Sequence, residues 1–418
     1  MSVTPATAAP GLRRGEPGFR RVSVGLFFAG FTTFALLYAT QPLLPRLVDV
    51  FGVSPGTASL SVSVTTGGLA LAVIPASALS ERWGRRPVML WSLLGAVGFG
   101  LAAAVAPSFG LLLVLRALEG VALAGLPAVG MAYLADEIDA GHLDGAMGLY
   151  IAGNSVGGFG GRIVVSAIND LAGSWRAALG GIAVVSGVCL LLFWLVLPHS
   201  RRFAPSPVAA RELAGEAAAH LRDPVLRRLF AVGLLLMGTF VCAYNYVAFR
   251  LLGPPFTLPD LVVGFVFVLY AVGTVTSTAA GRLSARWGTR RTVLVAVGVA
   301  AVGALAMLAP VLALVIGGLA LLTVGFFAGH AVASAAVGRR ATHGRAVASG
   351  MYLFSYYVGS SVGGTLGGVV FGVAGWSATV GFLVALLGAT AVVVAGLRRA
   401  GSGSGSGSGF ERRCPSVE

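Results

Sequence analysis

The stretch Ser80-Glu-Arg-Trp-Gly-Arg-Arg-Pro87 gathers Glu81, Arg82, Arg85 and Arg86 within eight residues of a chain in which only 11% of residues are charged. A near copy, Ser284-Ala-Arg-Trp-Gly-Thr-Arg-Arg291, recurs 204 residues later. The likeness extends outward: "SALSERWGRRPVML" from Ser77 aligns with "GRLSARWGTRRTVL" from Gly281. A second pair, "GNSVGGFGG" from Gly153 and "GSSVGGTLGG" from Gly359, keeps almost the same offset. A repeat at this separation divides the chain into two related halves. In the second copy Ala285 replaces Glu81 and Thr289 replaces Arg85, while Arg286, Gly288 and Arg290 are kept. The halves are therefore alike in plan and unequal in charge.

The residues between these motifs set the class. The chain has 418 residues, 56% of them hydrophobic, with 61 glycines and a mean hydropathy of +0.89. A membrane span needs about 20 mostly apolar residues, and the sequence from Val22 to Leu397 reads as twelve such segments. They run near 22–45, 57–80, 87–107, 109–135, 145–169, 176–197, 228–252, 261–284, 290–309, 311–336, 345–372 and 376–397. The expectation is an all-α membrane protein of two six-helix bundles, 22–197 and 228–397. The polar break 198–227 is expected to form a linker with an amphipathic surface helix. Residues 1–21 are expected to be a cytoplasmic segment, without the apolar core and cleavage site of a signal peptide. Residues 398–418 open with a Gly/Ser run and are expected to be a flexible cytoplasmic tail.

A net charge of +14 would suggest nucleic acid in a soluble chain. Here the basic residues, all arginine, sit mostly in alternate breaks between spans, following the positive-inside rule. With the N-terminus in the cytoplasm, Arg13, Arg14, Arg20, Arg21, Arg82, Arg85, Arg86, Arg201, Arg202, Arg286, Arg290, Arg291, Arg339, Arg340 and Arg345 all fall on that side. The opposite side carries Arg46, Arg176 and Arg250. This predicts a multi-pass protein of the cytoplasmic (inner) membrane, both termini inside, with the lipid bilayer and not nucleic acid as its partner. Cys189, Cys242 and Cys414 follow no disulfide or metal-binding spacing.

These motifs resemble the major facilitator superfamily over Val22 to Leu397. The loop signature of that family between spans 2 and 3 is close to G-x-x-x-D-R-x-G-R-R; here Ser77 replaces the glycine and Glu81 the aspartate, followed by Arg82, Gly84, Arg85 and Arg86. "RALEG" at Arg116 to Gly120 is similar to its fourth-span R-x-x-x-G signature. Gly153-Asn154-Ser155-Val156-Gly157-Gly158 is similar to the antiporter signature ending G-P-x-x-G-G, with Asn154 in the place of proline. The phrases "LLYATQPLLP" and "GLYIAGNSVGG" resemble the YnfM-type branch of drug-efflux-like members. The resemblance implies a monomeric secondary transporter whose two bundles alternate access to a central cavity lined by spans 1, 4, 7 and 10.

Ionisable residues inside a span are costly to leave unpaired and so mark function. Arg116 and Glu119 lie three residues apart on one face of span 4. Arg162 lies about 25 Å along span 5 from its start, at a matching depth. The expectation is one cavity-facing cluster in which Glu119 exchanges a proton and an arginine binds an anionic group. His330 is the second proton candidate. Tyr38 and Gln41 in span 1, and Tyr244, Asn245 and Tyr246 in span 7, occupy corresponding stretches of the halves; with Asn154 they are expected substrate contacts.

At the cytoplasmic end Glu81, Arg82, Arg85 and Arg86 are expected to form a gate with Asp136, echoed by Arg286, Gly288 and Arg290. Glycine ladders at Gly153, Gly157 and Gly161 and at Gly359, Gly363 and Gly367 permit close helix approach. The same stretches fit G-x-S-x-G twice, but that hydrolase elbow needs a strand, a turn and a helix. No nucleotide or metal signature appears, so the expected energy source is the proton gradient, with no cofactor and no catalysis. The expected function is proton-coupled export of small, partly hydrophobic molecules. Two rivals remain open on the residues: an importer or facilitator of a small organic anion held by Arg116 and Arg162, and a non-transporting scaffold or lipid-translocation accessory.

Overall fold

A computed structural model of the chain describes residues 11–203 and 210–397. The first ten residues, 204–209 of the linker and the expected tail lie outside them. Among the described residues the fold is helical, with one isolated β-bridge between Leu12 and Ile138. Twelve crossings fill the two halves. Spans 2, 3, 5 and 6 are single helices, Pro55–Trp83, Arg85–Ala104, Leu143–Ala172 and Trp175–Val196. Spans 7 and 10 are Pro224–Leu252 and Leu312–Arg340. Eight helices among the described residues are long and apolar enough to cross a membrane, and two of these carry two crossings each. Val272–Ala306 turns back at Gly288, and Arg345–Ala395 at Gly375.

Those turns explain the paired motif. Gly84 is the single residue between spans 2 and 3, with φ 95° and ψ 151°. Gly288 repeats this between spans 8 and 9, with φ 78° and ψ 159°. This backbone region is essentially reserved for glycine, because a Cβ would clash with the chain itself. The glycine of each motif thus lets one helix end and the next begin with no loop.

Three spans are not the continuous helices that hydropathy predicts. Span 1 runs as Pro17–Leu37, a 3₁₀ turn at Gln41–Leu43, and Leu44–Phe51. Pro42 and Pro45 remove backbone donors and disfavour helix at the residues before them, so the helix stops. Span 4 breaks between Phe109–Leu123 and Pro127–Glu137, again ahead of a proline. There the Tyr150 hydroxyl donates to the Leu126 carbonyl at 3.2 Å. Span 8 opens as Asp260–Gly264, continues as a 3₁₀ helix over Phe265–Ala271, and becomes regular from Val272.

The glycine ladders bring helices into close contact, backbone to backbone at every rung but Gly367, which meets the Cys242 and Tyr246 side chains. Gly153, Gly157 and Gly161 of span 5 face Phe27, Phe31 and Ala35 of span 1. Gly359, Gly363 and Gly367 of span 11 face Leu234, Gly238 and Cys242 of span 7. A Cβ on any of these six would run into the neighbouring helix. The linker helix, Ala210–Arg222, docks through His220, whose ring lies 3.2 Å from the Gly344 carbonyl before span 11.

The start of the first helix, Pro17, and the end of the last, Ala395, lie on one face with the span 2–3 and 8–9 turns, here called the arginine-rich face. Arg86 donates there to the Leu197 and Trp194 carbonyls at 3.1 and 3.3 Å, and Arg21 to Val196 at 3.2 Å. These arginines supply partners and positive charge to the unpaired carbonyl end of span 6.

Candidate functional site

The expected cluster of Arg116, Glu119 and Arg162 does not form. Arg116 and Glu119 pair at 2.6 Å, 1% and 0% exposed, inside the first bundle. The remaining Arg116 donors go to backbone: Nη1 to Leu36 O at 3.0 Å, Nη2 to Leu37 O at 2.9 Å and Nε to Ser61 O at 3.2 Å. Leu36 and Leu37 end the first helix of span 1, so their carbonyls lack the regular i+4 helical donor among the described residues, and Leu36 O keeps a turn bond from the Ala39 N–H at 3.1 Å. The broken helix therefore recruits the guanidinium, a pairing that residue spacing along span 4 does not reveal. Glu119 Oε2 holds Arg116, and Oε1, which faces Gly100 of span 3, has no hydrogen-bond partner among the described residues.

Arg162 takes a different place. Its Nε donates to Gln41 Oε1 at 2.6 Å and its Nη1 donates to the Gly158 carbonyl. Its guanidinium carbon lies 4.5 Å from the Tyr38 ring centre, 5.0 Å from Phe267 and 4.8 Å from Tyr270. Aromatic faces attract a cation in this geometry. No carboxylate pairs with Arg162 among the described residues.

A cavity of about 240 Å³ lies between the bundles beside Arg162. Phe34, Tyr38, Asn154, Ser155 and Gly158 bound it from the first half. Phe240, Tyr270, Phe326, Phe327, His330 and Tyr356 form its wall in the second. Spans 1, 7 and 10 contribute, as the resemblance implies, but span 4 supplies none of the lining residues and spans 5, 8 and 11 do. The wall is a stacked set of rings. Phe240 and Phe326 stack at 3.9 Å and 14°, and Phe326 and His330 at 5.8 Å and 9°. His330 Nδ1 is 2.9 Å from the Tyr352 hydroxyl. Sequence reading named none of Phe240, Tyr270, Phe326 or Tyr356, although "GFF" at Gly325 and "SYY" at Ser355 are dense in rings.

The other expected substrate contacts lie outside the lining. Gln41 Nε2 donates to Asn245 Oδ1 at 2.7 Å, both fully buried, and joins span 1 of one half to span 7 of the other. Tyr246 donates to the Gly364 carbonyl at 2.6 Å, and the Tyr244 hydroxyl meets that of Thr323 at 2.8 Å. Spans 2 and 11 continue this seam through Ser63, Thr66, Ser361 and Thr365, with Ser361 donating to the Ser63 carbonyl at 2.7 Å and Thr365 to the Ser63 hydroxyl at 2.9 Å. Gly56 lies against the backbone of Gly368 and Val369. Asn169 donates to Asp260 across spans 5 and 8 at 3.1 Å. The cross-bundle contacts among these, made by Gln41, Gly56, Ser63 and Asn169, gather toward the face opposite the arginines, beyond the cavity.

Toward the arginine-rich face a second gap of about 360 Å³ separates Val73, Ile74, Glu81 and Met131 from Ala346, Val347 and Gly350. Glu81 therefore looks across at the start of span 11. Arg85, 8% exposed, binds Glu81 at 2.7 Å, Ser80 Oγ at 2.8 Å and Asp136 at 3.1 Å. Arg82 is exposed, as are Arg286, Gly288 and Arg290 in the second copy, where Arg339 reaches Thr289 at 3.3 Å.

The family model described as Major Facilitator Superfamily matches residues 26–259. An uncharacterised MFS-type transporter of Bacillus subtilis (strain 168), YybF, is 44% identical over 376 residues, covering 90% of this chain and 93% of the relative. The inner membrane transport protein YnfM of Escherichia coli (strain K12) is 42% identical over 383 residues, covering 92% and 91%. The MFS antiporter QDR3 of Candida albicans is 31% identical over 191 residues, 45% of this chain and 27% of that protein. Among solved structures, a bacterial homologue of the human lysosomal transporter Spinster, inward-facing and unoccupied, superposes with a TM-score of 0.72 at 16% identity, covering 91% of this chain and 95% of that one.

Proposed function

The chain belongs to the major facilitator superfamily and is a membrane transporter, and we propose that it is a proton-coupled exporter of small, partly hydrophobic molecules, working by alternating access. The observation that carries this reading is the aromatic cavity at the interface of two bundles that are bonded together on one side of it. A site reached by rocking two bundles must lie on their interface. The arginine-rich face is assigned to the cytoplasm, with both termini there, from the charge bias between loops. The seam through Gln41 and Asn245 then closes the outer side, and the gap beside Glu81 lies on the inner route.

The proton step is assigned to Glu119. It is the counter-ion of Arg116, and Arg116 ties the broken end of span 1 to span 2. Protonation of Glu119 removes the charge that holds Arg116, so the tie loosens when a proton arrives. His330, in the cavity wall, is the second proton candidate. Likeness to a named antiporter supports exchange as the mode. The test is proton-gradient-driven efflux in vesicles carrying Glu119→Gln. Loss of coupling with residual downhill flux is expected, and full coupling in this variant removes the assignment.

A further inference from the structure

Arg162 is a cation held at the wall of an apolar cavity by neutral groups only. Gln41 and the Gly158 carbonyl orient it, and the faces of Tyr38, Phe267 and Tyr270 surround it. None of these cancels its charge, and no Asp or Glu is among the residues around the cavity. A charge desolvated in this way is stabilised by an opposite charge from whatever enters. Arg116 makes no such demand, because Glu119 and three carbonyls already satisfy it.

Across the cavity, the second bundle offers rings. Phe240 and Phe326 stack on each other, and His330 continues the stack. Such a wall favours a flat aromatic guest over an aliphatic one. The volume of about 240 Å³ is below the roughly 300–1,000 Å³ of sites for drug-sized ligands. One ring and one acidic group suit it. We infer that the central cavity takes a small aromatic monocarboxylate, its carboxylate on Arg162 and its ring against Phe240 and Phe326, an assignment that rests on reading this cavity as the substrate site. The guest would then touch both bundles at once, the charge on one and the ring on the other. The same Arg162 donates to Gln41, which bonds Asn245, so the carboxylate sits one residue from the seam between the halves.

The test is calorimetric binding to the purified full chain of benzoate, benzamide, benzylamine, cyclohexanecarboxylate and acetate. Benzoate is expected to bind at least about tenfold more tightly than benzamide, benzylamine or acetate, through charge-assisted pairing and ring burial together, and about two- to tenfold more tightly than cyclohexanecarboxylate, through stacking alone. Arg162→Gln is expected to weaken benzoate at least about tenfold and to leave benzamide nearly unchanged. Phe240→Leu, which does not touch the seam, should weaken benzoate and spare acetate. Benzamide or benzylamine binding as well as benzoate overturns the class, as does binding of none of the five or unchanged benzoate affinity in Arg162→Gln. A thiol placed by Ser155→Cys in the cavity separates this outcome from the larger reading. Labelling from each face in turn upholds alternating access whatever benzoate does, and labelling from one face alone sinks it.

Discussion

Gln41 and Asn245 stand 204 positions apart, the same offset that separates Gly84 from Gly288, and they bond to each other at 2.7 Å. Two residues related by the repeat can meet only where the two halves meet, so this pair marks the pseudo-symmetry axis of the transporter. Gln41 also accepts from Arg162, so the bond links the cavity wall to the interface.

Removing this link is expected to favour opening of the face opposite the arginines. Gln41→Leu leaves Asn245 Oδ1 without its donor and Arg162 Nε without its acceptor, a loss of about 1–3 kcal/mol for a buried polar group. The measurement is labelling of a thiol introduced by Ser63→Cys in the same seam, which should speed up from the opposite face. Unchanged labelling alongside unchanged thermal stability would show that the pair holds nothing closed.

Close helix approach makes a sharp contrast between two glycines of span 5. Gly157 faces the backbone of Phe31, and a Cβ there cannot be accommodated by turning a side chain. Gly157→Ala is expected to lower stability by about 1–3 kcal/mol through overpacking. Gly148 has open space around it, so Gly148→Ala is expected to be neutral or to stabilise by up to about 1 kcal/mol. Thermal unfolding of both variants in one detergent checks the pair, and equal effects would contradict the ladder.

The two motif copies are expected to respond unequally. Glu81 binds Arg85 and faces Ala346 and Val347, whereas among the described residues Ala285 and the exposed Arg286 and Arg290 form no such group. Glu81→Ala should bias the protein toward opening on the arginine-rich face, read as faster labelling of a thiol from Val347→Cys. Ala285→Ser should leave that rate alone. Equal responses would refute an asymmetric latch.

Asp223 supplies a pH-dependent contact outside the membrane. Partial burial pushes its carboxyl up, but hydrogen bonding to Arg340 and to the Val225 and Leu226 amides outweighs burial and lowers it from the usual 3.8. A depressed carboxylate stabilises the fold above its unfolded value and loses that contribution as pH falls through the folded one. Asp223→Asn should therefore be less stable than the parent at pH 7. The difference should shrink only below about pH 3.8, as calorimetry in detergent across that range would read.

The repeat and the hydropathy together made the twelve crossings legible, because each is a property of contiguous residues. The site was less legible for a physical reason. Arg162 meets Gln41 across 121 positions and Gln41 meets Asn245 across 204, and such pairings depend on how the bundles dock. The separation of Arg116 from Arg162 follows from the break in span 1, whose freed carbonyls draw Arg116 away. Pro42 and Pro45 stand in the sequence, and read as helix stops they mark the carbonyls just before them, Leu36 and Leu37 included, as lacking regular helical donors. The ring wall needed three-dimensional placement, since Phe240, Tyr270, Phe326 and Tyr356 come from four different spans.

The one-residue turns at Gly84 and Gly288 leave no slack between the helices they join. A displacement of the end of span 2 at this face must carry the start of span 3 with it, and likewise span 8 must carry the start of span 9. Under the proposed alternating access, each motif would work as an elbow in a linkage, passing movement at the arginine-rich face on to spans 3 and 9. Lengthening either elbow by a few flexible residues would leave every contact at the cavity intact and still let the gate move without the bundle.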